Sequence, residues 1–552
     1  MSEARNLQPG PPAAEPGPHD RPSGPAGASA AAGEPYDAVV VGGGVNGAGI
    51  ARDLAGRGAR VLLVERDDLA SHTSSASTKL IHGGLRYLEH REFGLVRKAL
   101  AEREGLLRGA PHIMWPLRFV MPHDPSMRPA WMVRAGLFLY DHLARRELLP
   151  ASRALRLRED EAGAPLLPRF TRGFEYADGW VDDARLVVLC AVDAATRGAQ
   201  VRVRTACVQA RRDAGRWRVL LEGPGGVREE VRARALVNAA GPWAARFLGE
   251  ALGQPRSRAL RLVRGSHVVV RRLFDHDRAY LFQNADGRVL FAIPYEGEFT
   301  LLGTTDVEHR ESLDAIATAP AEIDYLCTQA ARFLRRPPTP ADVVWHYSGV
   351  RPLLDDDSGD PAAITRDYAL ELDGDAAGDP PLLSVWGGKI TTFRRLAEEA
   401  ADRLAPLLGL SRGPWTRGAV LPGGDLSAAI RPTGRPDTDF AAFVAELGRR
   451  HPAVPPARRL RLARAYGARA LALLAEPQGE EVAPGLFEAE LAYLHREEWA
   501  GCADDVLWRR GKLGLHLSEP QRAAVARWCE RHWGVVPRVG PAPTACVRSL
   551  PS

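Results

Sequence analysis

The chain has 552 residues, too many for one ordinary domain, and 45% of them are apolar, enough to bury a large core. A formal net charge of +5 is small for this length, so composition gives no support to nucleic-acid binding and only weak support to an anionic substrate or membrane surface. The six cysteines form no C-x-x-C pair, so no metal site is expected, and scattered thiols suit a reducing cytoplasm.

Residues 1–35 are rich in Pro, Gly, Ala and Ser, lack the apolar stretch of a secretory signal and are expected to be a disordered tail. From Tyr36 a strand, a glycine turn, a helix and a second strand follow. Val39, Val40 and Val41 form the first strand, Gly42, Gly44 and Gly47 give G-x-G-x-x-G, Ile50 and Leu54 stripe the helix, and 61–64 form the second strand. With 54 glycines a bare match carries little; the register of strand, helix and strand gives it weight. The helix N-terminus would face a pyrophosphate. Glu65 stands about 20 residues on, where an acid meets a ribose, and it would clash with a 2′-phosphate, which favours FAD or NAD over NADP.

Next, Thr73, Ser74, Ser75, Ser77 and Thr78 crowd hydroxyls before Lys79, followed by His82, Gly83, Gly84, Arg86 and Tyr87. Hydroxyls and a lysine suit a diphosphate, and paired glycines let backbone lie against a flat ring. Only Lys79, Lys98, Lys389 and Lys512 are lysines among 73 basic residues. Lysine's compact charge is not reproduced by arginine, so Lys79 and Lys389 in glycine-rich stretches point mildly to function. Segment 131–143 reads first as a buried core helix, with a surface helix at a membrane interface as the alternative. No run reaches the ~18 apolar residues that span a bilayer.

Segments 201–205, 216–221 and 231–238 read as strands of a sheet inserted after the first nucleotide-binding unit. Segment 235–241 ends in a small-residue turn where backbone can pass close to a cofactor. Segments 267–270, 289–293 and 299–302 alternate as antiparallel strands and are a candidate substrate-facing sheet. His267 heads that sheet as a candidate general base with a suitable intrinsic pKa; a structural histidine is the equal alternative. Arg351 and Arg366 lie beside turns and, with Arg86 and Lys389, could hold a phosphate. Strand 382–386 ends at Gly387 and Gly388, and the helix starting near Thr392 could stabilise charge on a reduced flavin. Segments 355–360 and 373–381 are turn-rich loops. From about 411 the pattern is helical, most clearly at 458–474, 486–494 and 520–532, and no internal repeat is visible.

These segments together resemble the FAD-dependent, quinone-linked glycerol-3-phosphate dehydrogenases over roughly residues 36–530. The likeness is carried by VGGGVNGAGIARDLAGRG (41–58), SSASTKLIHGGLRYLEH (74–90), RPAWMVRAGLFLYDHL (128–143), FEYADGWVDDARL (174–186), VNAAGPW (237–243), GTTDVE (303–308), YSGVRPL (347–353), AITRDY (363–368) and LLSVWGGKITTFRRLAE (382–398). VLPGG (420–424) and ADDVLWRRGKLG (503–514) extend it toward the C-terminus. Phe393 departs from the family's usual Tyr and removes a hydroxyl.

The resemblance implies an α/β fold: a Rossmann-like FAD-binding domain of the glutathione-reductase/amino-acid-oxidase type, an antiparallel-sheet cap domain and an all-α C-terminal domain. The FAD-dependent region would span 36–410, with FAD-binding parts at about 36–110, 180–265 and 345–410 and cap parts at about 111–179 and 266–344. The helical domain would span 411–541 and a tail 542–552. The implied cofactor contacts are Gly42, Gly43, Gly44, Asn46, Gly47, Glu65, Thr73, Ser74, Ser75, Lys79, Leu80, His82, Gly83, Gly84, Cys207, Val208, Ala240, Gly241, Trp243, Gly388, Lys389, Ile390, Thr391 and Thr392. Substrate contacts would be Arg86, Tyr87, His267, Arg351, Arg366 and Lys389, with His267, Lys389 and Arg351 in catalysis. The implied reaction oxidises sn-glycerol 3-phosphate to dihydroxyacetone phosphate by hydride transfer from C2 to flavin N5, with electrons passing to a membrane quinone. The enzyme would be a homodimer attached peripherally to the cytoplasmic face of the membrane, or lie in the cytoplasm. An oxygen-using oxidase and a non-catalytic FAD-binding protein remain open.

Overall fold

The computed structural model describes residues 34–88, 92–125, 127–255, 258–284, 286–354, 367–374 and 379–535. The expected N-terminal tail (apart from its last two residues), loop 355–360, Arg366 and the tail 542–552 lie outside the described residues.

In chain order the first elements are β1 (Tyr36–Val41), α1 (Val45–Gly56), β2 (Val61–Val64), β3 (Leu80–Ile81), α2 (Phe93–Gly109), β4 (Met114–His123), α3 (Ala130–His142), β5 (Arg153–Arg156), β6 (Arg172–Val181) and α4 (Asp183–Thr196). There follow β7 (Gln200–Arg202), β8 (Ala206–Asp213), β9 (Arg216–Glu222), β10 (Arg228–Asn238), α5 (Ala244–Leu252), β11 (Leu260–Arg271), β12 (Ala279–Gln283), β13 (Val289–Tyr295), β14 (Phe299–Gly303) and β15 (Val307–Glu308). The last are α6 (Pro320–Ala331), β16 (Val343–Leu354), β17 (Tyr368–Asp373), β18 (Leu382–Gly387), α7 (Phe393–Leu408), α8 (Pro436–Arg450), α9 (Pro456–Tyr466), α10 (Arg469–Ala475), β19 (Glu481–Ala483), β20 (Leu486–Phe487), α11 (Glu488–Glu498) and α12 (Glu519–Trp533).

One sheet runs β17-β18-β10-β1-β2-β7, with β9 on β10 and β8 on β9. β18, β10, β1, β2 and β7 are parallel neighbours. Their valines and leucines are buried on both faces, as a parallel sheet covered by helices requires. α1, α4 and α7 cover one face with Ile50, Leu54, Val187, Leu396 and Leu404. α5 and the β8–β9 hairpin cover the other with Phe247, Leu248 and Trp217. The strands expected as a separately inserted sheet therefore belong to this one. β10 lies between β1 and β18, and β7 takes the edge beside β2. Neighbours in the sheet are remote in the chain, so local alternation could not reveal this.

The second sheet runs β15-β11-β14-β13-β12-β4-β6-β3, with β16 on β11 and β5 on β6. It is antiparallel apart from β4 beside β12. α6 covers one face through Leu326 and Ala330, and α2 and α3 cover the other through Leu100, Leu137 and Tyr140. α3 overturns the first expectation of a buried core helix. Only Leu137 and Tyr140 are buried, and Trp131 is 70% and Phe138 57% exposed. An apolar segment without a clear stripe gives no sign of which face meets the core.

The C-terminal helices enclose their own core around Phe443, Leu462, Tyr466, Leu491 and Val525. The region is not all-α, because β19 and β20 form a small hairpin. The single helix expected at 458–474 is two, α9 ending at Gly467 with φ +54°. Buried ion pairs tie these helices to the first sheet. Arg185 of α4 meets Glu498, and Arg510 donates to Asp68 at 2.6 and 2.8 Å. Arg509 donates to Asp68 at 2.5 Å.

Candidate active site

β1 delivers the chain to a turn that only glycine fits. Gly42 has φ +114°, and a Cβ there would stand 2.4 Å from the Ala239 carbonyl oxygen at the end of β10. A cleft of about 400 Å³ opens at this turn, lined by 42–46, Glu65, 72–74, 205–208, 239–243 and 387–388. It gathers Gly42, Gly43, Gly44, Asn46, Glu65, Thr73, Ser74, Cys207, Val208, Ala240, Gly241, Trp243 and Gly388 from the sequence expectation. Gly47 instead lies buried in α1.

Glu65 accepts from Gly43 N at 2.6 Å and from Asp67 N at 2.9 Å. Burial raises its pKa, against the pull of His72 and the two amides. Each carboxylate oxygen has a second lone pair for a ribose hydroxyl. Glu65, Asp67 and His72 could face a cation, but His72 Nε2 already meets Asp67 at 2.8 Å. Asn46 donates to Gly387 O at 3.2 Å, while its Oδ1 is buried without a partner among the described residues. Helix-terminal amides, a ribose acid, an orphaned acceptor and bare backbone at Gly388 fit FAD.

The hydroxyl loop divides between two tasks. Ser74 Oγ accepts from Val45 N at 3.0 Å, and Thr73 Oγ1 donates to Val350 O at 2.8 Å. Lys79, expected at the diphosphate, is instead wholly buried away from the cleft lining. Its Nζ stands 2.6 Å from Asp183 Oδ1, donates to Ser75 O at 3.1 Å and lies 5.3 Å from the Tyr347 ring centre. Burial lowers its pKa, and Asp183, the first residue of α4, opposes that. Leu80 is buried in β3 opposite Trp180.

His82 N and O both meet Thr391 Oγ1, at 3.2 and 3.4 Å. This joins the loop to the turn Ile390–Thr392 ahead of α7. Gly83 N donates to Tyr140 OH at 2.8 Å; Tyr140 donates to Asp178, which Arg103 holds at 2.6 Å. Gly84, at φ +78°, leads into the turn Leu85–Leu88 that carries Arg86. Lys389 Nζ lies 4.0 Å from the Tyr87 ring centre.

The second sheet supplies the remaining groups. On β11 and β16, His267 stands opposite Tyr347, Gly265 opposite Gly349 and Val263 opposite Arg351. Side chains alternate along strands, so His267 and Arg351 share a face. Arg351 reaches across Gly265, where a Cβ would sit 2.2 Å from Nη2. It donates to Thr304 Oγ1 at 2.9 Å and to Asp306. Gly303 on β14 makes room for His267 in the same way, since a Cβ there would sit 2.0 Å from Cδ2.

His267 stacks on Tyr347 at 4.8 Å and 15°. Its Nε2 is 2.9 Å from Thr78 Oγ1, and its Nδ1 has no partner among the described residues. Burial, then the charges of Arg351 and Lys79, push its pKa well below 6.5. The expectation of an ordinary imidazole pKa therefore gives way to a ring held neutral. Thr78, read among the hydroxyls suited to a diphosphate, instead meets His267, and the sequence gives no role to Tyr347, Gly265, Gly303, Thr304 and Asp306. Their roles depend on strand register, and the only signal for Thr304 and Asp306 was their place in GTTDVE.

The family described as FAD dependent oxidoreductase matches residues 37–394. A glycerol-3-phosphate dehydrogenase of Pseudomonas aeruginosa is 50% identical over 516 residues, covering 93% of this chain and 98% of its own. A D-erythritol 1-phosphate dehydrogenase of Brucella abortus is 48% identical over 501 residues, covering 90% of this chain and 98% of its own. The solved structure of a glycerol-3-phosphate dehydrogenase from Bacillus halodurans, complexed with FAD, matches with a TM-score of 0.71 at 26% identity over 91% of each chain. Cleft, fold and likeness agree: the chain is an FAD-dependent enzyme and belongs to the FAD-dependent oxidoreductase family, in its glycerol-3-phosphate dehydrogenase branch.

Proposed function

We propose that the enzyme oxidises sn-glycerol 3-phosphate at C2 to dihydroxyacetone phosphate. The observation that carries this reading is the shared face of His267 and Arg351. Arg351 brings its guanidinium over Gly265, two residues from His267 along β11. Two strand residues span about 7 Å, room for a small phosphate ester to lie between the two side chains with its phosphate toward Arg351. Arg351 is assigned to the phosphate, and Arg86, Arg366 and Tyr87 keep the substrate role that the resemblance implies.

The glycine turn, Glu65, Asn46 and 387–392 would hold FAD, which would supply the two-electron acceptor. Thr78 Oγ1 fixes the His267 ring at Nε2, and Nδ1 is assigned to receive the C2 hydroxyl proton. A buried neutral ring is in the right state to accept, and the charges of Arg351 and Lys389 favour the alkoxide form of the substrate.

A membrane quinone would be the final acceptor, as the resemblance implies. Among the described residues no helix is long and apolar enough to cross a membrane. α3 offers a peripheral contact instead, with Trp131, Met132, Phe138 and Leu139 exposed along 13 residues. On this reading the protein docks at the cytoplasmic face. The relative named for D-erythritol 1-phosphate makes a four-carbon phosphate the second substrate reading.

Anaerobic addition of glycerol 3-phosphate should bleach the flavin, and a quinone analogue should restore the colour. A fully FAD-loaded enzyme that stays yellow sinks the reading. Faster bleaching by D-erythritol 1-phosphate transfers it to the four-carbon substrate, and turnover that needs only oxygen makes it an oxidase.

A further inference from the structure

A second cavity, of about 490 Å³, shares no lining residue with the FAD cleft. It lies between α2, the first turns of α7 and the strap 416–421. α1 separates the two: Asn46 lines the cleft and Arg52 lines the cavity, ~9 Å further along the helix.

The cavity is strongly cationic. Its two carboxylates, Glu102 and Glu398, are both taken by Arg394, with Glu102 gripped at 2.7 Å by two guanidinium nitrogens. Arg97, Lys98, Arg395 and Arg417 also line it, and none of these four makes an ion pair among the described residues. At the inner end Arg52 is 3% exposed. Its Nε donates to Asp193 at 2.5 Å, yet its Nη2 is buried with no hydrogen-bond partner among the described residues. Asp193 is shared with Arg197, so the buried Arg52 guanidinium is only partly neutralised, and an anion in the cavity would offset its charge.

The walls keep the space open. Gly94, Lys98, Ala101 and Gly105 recur on one face of α2, and a Cβ added at Gly94 or Gly105 would meet nothing within 4 Å. No packing contact requires glycine at mid-helix Gly105, where alanine would stabilise the helix. The strap is fixed at both ends. Trp415 Nε1 donates to Asp53 O at 3.0 Å, and Leu421 N donates to Gly109 O at 2.8 Å.

We propose that this cavity is a binding site for a phosphate-bearing anion, seated on Arg52 and ringed by Arg97, Lys98, Arg395 and Arg417. The phosphate could belong to a soluble ligand or to a lipid headgroup, and two arms of one experiment separate these sources. In the first, pyrophosphate is titrated into FAD-loaded enzyme in a calorimeter. In the second, the enzyme is sedimented with phosphatidylglycerol vesicles. Gly105→Leu should fill the cavity, and Arg417→Glu should reverse a rim charge. Each should weaken binding about tenfold or more while flavin content and melting temperature hold. Pyrophosphate binding lost in both variants assigns a soluble phosphate. Vesicle binding alone, lost in both variants, assigns the headgroup. Absence of binding in both arms, or binding that neither variant weakens in either arm, overturns the site.

Discussion

The glycine turn at 42–47 and the sheet face carrying His267 and Arg351 solve the same problem by opposite means. The turn is built from neighbours in sequence: a strand, three spaced glycines, a helix and an acid within 30 residues. The sheet face is built from register, since β11, β14 and β16 place Gly265, Gly303 and Arg351 around His267. Glycine serves both regions, but in the turn it frees the backbone and on the sheet it clears space for another residue's side chain. A site assembled from pairing can therefore lose its chemistry without losing its cofactor.

That contrast can be broken by substitution. Gly42→Val should abolish FAD binding, because its φ of +114° and the 2.4 Å approach to Ala239 O leave no room for a side chain. Gly303→Ala should keep FAD and lose about a thousandfold in kcat/KM, roughly 4 kcal/mol of transition-state stabilisation. Flavin content and turnover, measured on both variants, decide the matter. Equal loss of flavin in the two would erase the distinction.

Asp183→Ala should destabilise the fold by about 3–5 kcal/mol, since Lys79 would remain buried without its counter-charge. A melting temperature within a degree or two of the native one (about 0.5 kcal/mol) would show that Lys79 finds another partner. A smaller effect separates substrate from cofactor. Arg351→Ala should raise KM about a hundredfold, with FAD occupancy unchanged. Comparable losses of substrate and flavin affinity would remove Arg351 from the phosphate.

The smallest expected effect is a pH dependence. Burial pushes His112 down to about 3 and His267 well below 6.5, so both stay neutral in the fold while the unfolded chain takes up protons near pH 6.5. The contribution of these two rings to stability is then level above pH 6.5 and falls as pH drops below it, by at most about 1.4 kcal/mol per unit for each ring, while Glu296, pushed up to about 7 by burial, opposes it. His112→Gln should flatten the slope between pH 6.5 and 5 in denaturant titrations. An unchanged slope would place the proton uptake elsewhere.

What was legible in the sequence follows the same division. β1, α1, β2 and Glu65 could be read because periodicity and turn chemistry act within a few residues. The place of β10 between β1 and β18 could not, since parallel neighbours are joined only through tertiary pairing. Lys79 misled because a lysine beside hydroxyls looks like a phosphate ligand until Asp183, 104 residues on, is brought to 2.6 Å. α3 misled in the opposite direction, as apolarity alone does not say whether protein or another medium covers a helix. His267 stood out in the sequence as a titratable group heading a strand, but its neutral state depends on burial and on Arg351, which only the folded sheet supplies.

The clamp of Arg509 and Arg510 on Asp68 bears on how such enzymes can be recombined or shortened. Asp68 follows Glu65 by three residues, so the segment that carries Glu65 is buttressed by side chains from more than 440 positions away. A chain cut after α7 would not be a smaller working enzyme, because Asp68 and Arg185 would both lose their buried partners. Chimaeras that join the front of one relative to the back of another must inherit Asp68 with Arg510, and Arg185 with Glu498, as matched sets.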